Sequence, residues 1–419
     1  MRAYLQQLVY RIKGSYWFIP SLMVLAAIVL SQTAIWVDRH VGNQWLKDVW
    51  FASMNQPDGA RALLATVAGS MITVAGVTFS LTILAVSHAT SLFGPRLLDN
   101  FMRDRGNQVT LGTFVATFLY CLLVLRVVRG EGVSGDEVDV GAFVPQLSLI
   151  IALILTLASV AELIYFIHHV PESIHISTVL QRLATDMSNK FEELYPETVG
   201  DAFDRMADDP PPRFQFEQQV TSGCSGYLQG IDDQELLKFT QQHDAVIKLL
   251  RRPGDFIRER EPIAEIAYLG TAPEEATEKH TNQMRHGFAI GFARTPTQDV
   301  FFILNEFVEV ATRALSPGVN DPFTAMQCID WLSVGLVKLS DRKLPAAYRT
   351  DQQGTIRIVT TDVSYADFVD TMLKQLVPYA KHDDNVRQYF IDSMQRVTEI
   401  SNNSVLNHCI NEQLKAIQS

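Results

Sequence analysis

The sequence predicts an α-helical integral membrane domain with four transmembrane helices, followed by a cytoplasmic α+β domain. Three observations carry that fold class. Four stretches without Asp, Glu, Lys or Arg (Gly14–Val37, Ala62–Pro95, Gly106–Leu125 and Val140–Ala161) each hold the roughly 20 helical residues that cross about 30 Å of hydrocarbon. Charge is divided unevenly: the first 170 residues carry 11 Lys and Arg against 10 Asp and Glu, and the remaining 249 carry 24 against 36. Short strand-like and helical patterns then follow one another without the strict alternation of a doubly wound sheet. The expected domains are a four-helix transmembrane domain at 1–170, an amphipathic helix and acidic linker at 171–209, and the α+β domain at 210–419.

With 19% charged residues and mean hydropathy of +0.07, the 419-residue chain is neither disordered nor a small disulfide scaffold. Its net charge of −11, placed mainly in the second part, excludes nucleic acid as an expected partner, because phosphate binding needs clustered cations. The four cysteines, Cys121, Cys224, Cys328 and Cys409, are far apart and form no CxxC pair, which suits a reducing compartment and suggests no zinc site.

The first span has too long an apolar run for a signal peptide. Arg2, Arg11 and Lys13 precede it, and Arg96, Arg103 and Arg105 lie between spans two and three. Arg39, Lys47 and Arg61 are spread over a longer loop, and the last connection mixes two Arg with Glu131, Asp136, Glu137 and Asp139. This Lys/Arg bias places both termini in the cytoplasm. Trp17, Trp36, Trp45 and Trp50 sit at or beyond span ends, where amphipathic rings favour the interface.

The second span is longer than a bilayer needs and rich in hydroxyls. Thr66, Thr73, Ser80 and Ser87 recur every seven residues on one helical stripe, Ser70 and Ser91 adjoin it, and Gly69 and Gly76 keep the same interval. Thr78 and Thr82 lie off the stripe. Two readings fit: close packing through small residues, or a pore lined by the same stripe from several subunits. After Gly94-Pro95, an amphipathic segment carries Arg96, Arg103 and Arg105, which in an oligomer would ring the inner mouth. At the end of span four stand Glu162, His168, His169, Pro171, Glu172 and His175. They read as an ordinary helix end or as a proton or metal site that Pro171 spoils.

Ile174–Leu194 is expected to form an amphipathic helix, and Asp208-Asp209 with Pro210-Pro211-Pro212 a stiff linker. Strands are expected at Gly226–Ile231, Ala245–Leu250, Phe256–Ile257, Ile263–Tyr268 and Thr355–Thr360. Helices are expected at Asp232–Gln242, Tyr365–Ala380 and Val386–Ile400. The densest motif runs from Gly291 to Asp299 and from Ala314 to Ala325. Thr295, Pro296 and Gln298 read as a capping box; Ser316-Pro317-Gly318 ends that helix, and Asp321-Pro322 caps the next. The motif is either a helix hairpin alone or a ligand site built from helix-start amides with Arg294, Asp299, Arg313, Asn320 and Asp321. His243, His280, His286, His382 and His408 are scattered and expected to face solvent. No Walker A, GxGxxG, HExxH, GxSxG or kinase set is present, so no enzyme chemistry, cofactor or metal is expected.

Gly94-Pro-Arg-Leu-Leu, then Asn-Phe-Met-Arg-Asp-Arg-Gly-Asn-Gln-Val and Leu-Gly-Thr-Phe-Val-Ala-Thr-Phe-Leu-Tyr, with the later Arg-Ala-Leu-Ser-Pro-Gly-Val-Asn-Asp-Pro-Phe-Thr-Ala, resemble the bacterial predicted membrane proteins grouped as domain of unknown function 2254. The likeness covers nearly the whole chain. It implies a multi-pass protein of the bacterial inner membrane and brings no catalytic residues with it. From the residues themselves, the expected function is a homo-oligomeric channel or transporter-like protein with a regulatory cytoplasmic domain. Thr66, Ser70, Thr73, Ser80, Ser87, Ser91, Arg96, Arg103 and Arg105 would line its path. The alternative is a membrane-anchored sensor of a small ligand.

Overall fold

The computed structural model describes residues 15–40, 56–94, 104–129, 143–193, 201–202, 213–216, 218–270 and 277–419. Arg96 and Arg103 of the expected mouth, Trp45, Trp50 and the proline run at 210–212 lie outside them. The described residues fall into two compact units, one within Tyr10–Ser91 and Pro95–His175, the other centred on Ile176–Ser419.

The first unit holds α1 (Phe18–His40), α2 (Pro57–Phe93), α3 (Arg105–Leu125) and α4 (Gln146–Ser173). All four are long and apolar enough to cross a membrane. Helices α1, α3 and α4 pack together through Ala27, Ile35, Ala116, Tyr120, Cys121 and Ala152, the alanines letting the backbones approach. Gly112 of α3 has no side chain because Pro20 and Met23 of α1 fill the space one would need. Helix α2 adds Ala60, Leu64, Ala68, Met71 and Ala75 along a single line.

Span four departs from expectation at both ends. It starts at Gln146 and runs past Glu162 through Pro171 to Ser173. Its start is held by Asp38 of α1, whose carboxyl accepts from Leu147 N (2.9 Å), Ser148 N (3.0 Å) and Ser148 Oγ (2.6 Å). Those donors are among the unsatisfied groups of any helix start, and a buried carboxyl group in this position suits the helix dipole. Its far end continues because Glu162 finds a hydroxyl partner and because proline in a last turn removes one backbone bond near an end that frays anyway.

In the second unit, α5 (Ile176–Glu192) buries Val179, Leu180, Leu183, Met187 and Phe191, the stripe that its amphipathic pattern predicts. Strands β1 (Asp201–Ala202), β2 (Gln218–Thr221), β3 (Gly226–Ile231), β4 (Ala245–Leu249), β5 (Phe256–Ile257), β6 (Pro262–Tyr268), β7 (Phe288–Gly291), β8 (Tyr348–Thr350) and β9 (Ile356–Val359) form two sheets. One has the order β1-β8-β9-β4-β6-β2, antiparallel except for the β4–β9 pair; the other is antiparallel β5-β3-β7. Helices α6 (Asp233–Gln242) and α7 (Thr277–Arg285) accompany the strands. Val220, Leu228, Ile247, Ile266 and Phe288 contribute to the core between them.

A helical layer completes the unit: α8 (Val300–Ala314), α9 (Pro322–Ser340), α10 (Tyr365–Val369), one π turn at Asp370–Lys374, α11 (Val377–Ala380), α12 (Asp384–Ile400) and α13 (Ser404–Gln418). The single helix expected at Tyr365–Ala380 is therefore three pieces. Phe301 stacks on Phe368 with centroids 4.9 Å apart, and Phe191 meets the same ring edge-on at 5.9 Å. Strands β1, β2, β7 and β8 and helices α7 and α13 escaped the sequence reading, being short, weakly periodic or terminal.

The turn before β5 is the tightest point of this unit. Gly254 has φ of 100° and donates its N–H to Leu228 O (2.8 Å), while the Asp299 and Arg294 side chains occupy the space a β-carbon would need. Gly254→Ala combines a left-handed penalty with a steric clash, and is expected to cost about 2–4 kcal/mol in chemical denaturation. A loss under about 0.5 kcal/mol would contradict this packing.

Candidate functional site

Helix α2 is two-faced. Its buried line runs from Ala60 through Leu64, Ala68, Met71 and Ala75 to Thr78, Thr82, Val86 and Ala89. Thr66, Ser70, Thr73, Ser80, Ser87 and Ser91 are all exposed. Ser80 lies about 200° around the helix from both Thr78 and Thr82, opposite the packed face. A β-carbon added at Gly69 or Gly76 would meet nothing within 4 Å. The stripe therefore takes no part in packing among the described helices of this chain.

Most of these hydroxyls are satisfied within α2. Thr66 Oγ1 donates to Ala62 O (2.7 Å), Ser70 Oγ to Thr66 O (2.8 Å), Thr73 Oγ1 to Gly69 O (2.8 Å) and Ser80 Oγ to Gly76 O (2.9 Å). Each still offers oxygen lone pairs outward. The outer faces of α1 and α4 expose Leu22, Leu25 and Val29, and Ile154, Leu157 and Ile164; on α2, Ile72, Val77, Phe79, Leu81 and Leu84 are exposed beside the hydroxyls. Arg105, in the first turn of α3, is exposed.

The second set of expected site residues forms a self-contained structure. Asp299 caps α8, accepting from Phe302 N at Oδ1 (3.1 Å), and its Oδ2 takes Arg294 Nε (2.9 Å) and Nη2 (2.6 Å). Burial pushes the Asp299 carboxyl above its usual range, against the opposing pull of Arg294. Asp321 caps α9 through Thr324 N (3.1 Å) and Thr324 Oγ1 (2.6 Å), after Asn320 at φ of 48°. Arg313 stands in the last turn of α8. The structure thus joins Arg294 to Asp299, puts Asn320 and Asp321 at the start of α9, and gives one amide in each first turn to an internal carboxylate.

The expected capping box at Thr295 does not form. Asp299 takes the cap, and Gln298 instead clamps β3, accepting from Ile231 N (2.8 Å) and donating to Ile231 O (3.0 Å). A strand with both peptide groups open outbids the local pattern.

Two features were missed in the sequence. A cavity of about 740 Å³ in the second unit is lined by Cys224, Glu235, Ile263, Arg285, His286 and Phe288, within the range of small-molecule sites. Arg285 is braced there by Thr221 O (2.8 Å), Thr221 Oγ1 (3.1 Å) and Asn282 Oδ1 (3.0 Å). None of the five expected ligand residues is among those lining residues. The other feature is a histidine pair. His280 is buried rather than solvent-facing, 4.1 Å from the His243 ring centroid, with Nδ1 2.8 Å from Tyr268 Oη. Tyr268 donates to Gln218 Oε1 (3.0 Å), so His280 Nδ1 carries the proton in this bond.

Burial, then the neighbouring His243 and Lys279, hold His280 below its ordinary value of 6.5. A histidine depressed on folding contributes stability that is present above 6.5 and is lost as pH falls through its folded value. Acidification from pH 7 toward 5 is expected to lower resistance to urea, and His280→Gln to flatten that slope. Parallel pH slopes in the two proteins would contradict the assignment.

Four bilayer-length helices followed by an α+β unit define a multi-spanning membrane protein. The chain belongs to the family described as "Predicted membrane protein (DUF2254)", whose model matches residues 13–396. It is similar to an uncharacterized protein of Mycobacterium tuberculosis, at 32% identity over 388 residues, covering 93% of this chain and 72% of the relative. An uncharacterized protein of Mycobacterium bovis matches with the same identity and coverage. No solved structure matches the chain.

Proposed function

We propose that the chain is one subunit of a homo-oligomeric channel or transporter-like protein of the bacterial inner membrane, working without chemistry of its own. The observation that carries this reading is the exposure of the whole described hydroxyl stripe on α2, opposite the line that packs against the bundle. Copies arranged with these faces inward enclose a weakly polar path lined by hydroxyl oxygens, and leave the apolar faces of α1 and α4 to lipid. Arg105, with Arg96 and Arg103, tunes the mouth electrostatically. The Lys/Arg bias of the flanks supports cytoplasmic termini. The second unit then lies in the cytoplasm and regulates or assembles the pore. The test is release of K⁺ and Cl⁻ from liposomes holding the full-length protein, wild type beside Ser80→Leu. Flux above protein-free liposomes that the substitution removes supports the reading, and equal flux in both proteins sinks it.

The second reading, a membrane-anchored sensor of a small ligand, is favoured by the 740 Å³ cavity rather than by the residues around Arg294. Under this reading, a metabolite that fits the cavity raises the melting temperature of the full-length protein. Phe288→Trp, which fills the cavity, is expected to abolish that shift. A ligand-induced shift that persists in Phe288→Trp would place binding elsewhere.

A further inference from the structure

Polar contacts recur along the seam between α3 and α4, with apolar residues such as Phe114, Phe118 and Leu163 packed between them. At the α3 start, His169 Nε2 meets Asp104 Oδ1 at 2.8 Å, and Tyr165 Oη stands 3.1 Å from His169 Nδ1. Next, Thr110 Oγ1 donates to Glu162 Oε1 (2.7 Å). Further along, Thr117 Oγ1 and Ser159 Oγ share a bond of 3.1 Å. At the far end Tyr120 Oη donates to Ser148 O (3.1 Å), beside the Ser148 hydroxyl that donates to Asp38. Asp104, Thr110, Thr117, Tyr120, Ser148 and Ser159 are all buried. Glu162, Tyr165 and His169 follow one another at i, i+3 and i+7, within about 60° on one face of α4.

One more atom belongs to this file. Asn107 is 3% exposed and lies one turn from both Asp104 and Thr110 on α3, between the two ionisable sites. Its Oδ1 has no hydrogen-bond partner among the described residues. A buried acceptor between a carboxyl group and an imidazole suits a donor that comes and goes, and hydroxyl pairs that only hold helices together do not call for it.

We propose that this seam carries protons through a single protomer, independently of the α2 stripe. In the central step the Glu162 carboxyl O–H breaks while the Tyr165 hydroxyl takes that proton and releases its own to His169 Nδ1. The step leaves a Glu162 carboxylate and a His169 imidazolium held by Asp104, with total charge unchanged. Hydronium supplies the proton at one end and water removes it at the other. The transfer spans seven residues of α4, about 10 Å, roughly a third of the hydrocarbon thickness. Among the described residues, other titratable or charged groups on the adjoining elements include Tyr16, close enough to interact with Asp104, the exposed Arg105 at the start of α3, and the exposed His168 and Glu172 on α4.

The test is decay of an imposed pH gradient across liposomes holding the full-length protein, followed by an enclosed pH-sensitive dye with charge compensated by valinomycin and K⁺. Wild type is expected to dissipate the gradient faster than protein-free liposomes. In the Ser80→Leu background, where the α2 path is closed, proton decay faster than that of empty liposomes is expected to remain, and Glu162→Gln to remove it. Glu162→Gln keeps the acceptor for Thr110 but cannot pass a proton, and is expected there to slow decay at least tenfold with an unchanged melting temperature. His169→Gln, which can still donate to Asp104, is expected to do the same and stands in if the first variant fails to fold. Wild-type decay no faster than empty liposomes overturns the proposal, as does full decay in Glu162→Gln on that background. Loss of proton decay in Ser80→Leu also overturns it, because the protons then run along the stripe.

Discussion

Ser80→Leu is expected to cut K⁺ and Cl⁻ flux at least tenfold while leaving assembly and melting temperature unchanged. Ser80 is exposed and its own hydroxyl bonds back to Gly76 O, so no tertiary contact is lost on substitution. Leucine is also a strong helix former, and its side chain is at home in hydrocarbon. What changes is the lining of any path the stripe encloses: a hydroxyl oxygen is replaced by a branched apolar group that narrows and dries it. Tenfold is about 1.4 kcal/mol, a small demand on one dewetted ring repeated in every subunit. The mutant separates the pore reading from simple exposure to lipid, in which the substitution is silent. Reconstituted flux beside chemical-denaturation curves measures both halves of the expectation.

Asp38→Ala is expected to destabilise the membrane unit by about 3 kcal/mol, the largest effect of any polar substitution there. Three donors lose their acceptor at once: two backbone amides at the start of α4 and the Ser148 hydroxyl. All lie where Asp38 and Ser148 are buried, so water does not replace the lost bonds. Asp38→Asn retains an acceptor but loses the charge, and is expected to fall between the two. Thermal melting in detergent measures the series, and three equal melting temperatures would mean that α4 does not depend on this cap.

Much of the architecture was legible in the sequence because bilayer-length apolar runs and helical periods are local signals. The four spans, the amphipathic α5, strands β3 to β6 and the hairpin of α8 and α9 follow from them. What escaped depends on partners far along the chain. Asp38 reads as a loop charge until Ser148, 110 residues on, is seen beneath it. Glu162 reads as the end of a span until Thr110 supplies its hydrogen bond. Thr295 and Gln298 fit a capping box locally, yet Ile231 recruits Gln298 from 67 residues away. His280 is buried by Phe239, His243 and Tyr268, none of which marks it in the sequence. For the candidate site, the seven-residue interval of hydroxyls was visible in advance, but which side of α2 they occupy needed the packing of the other helices.

The most direct measurement is the reactivity of cysteines introduced one at a time along α2 with a membrane-impermeant, water-soluble thiol reagent, in full-length protein reconstituted in lipid with Cys224 and Cys409 replaced by serine, Cys121 and Cys328 being buried. Thr73→Cys, Ser80→Cys and Ser87→Cys probe the stripe, while Phe79→Cys and Leu81→Cys probe positions about 100° to either side of Ser80. A water-filled path lined by this face predicts modification of the first three and protection of the other two. Protection at all five positions would put the hydroxyl face in lipid or in dry packing, and would contradict the channel.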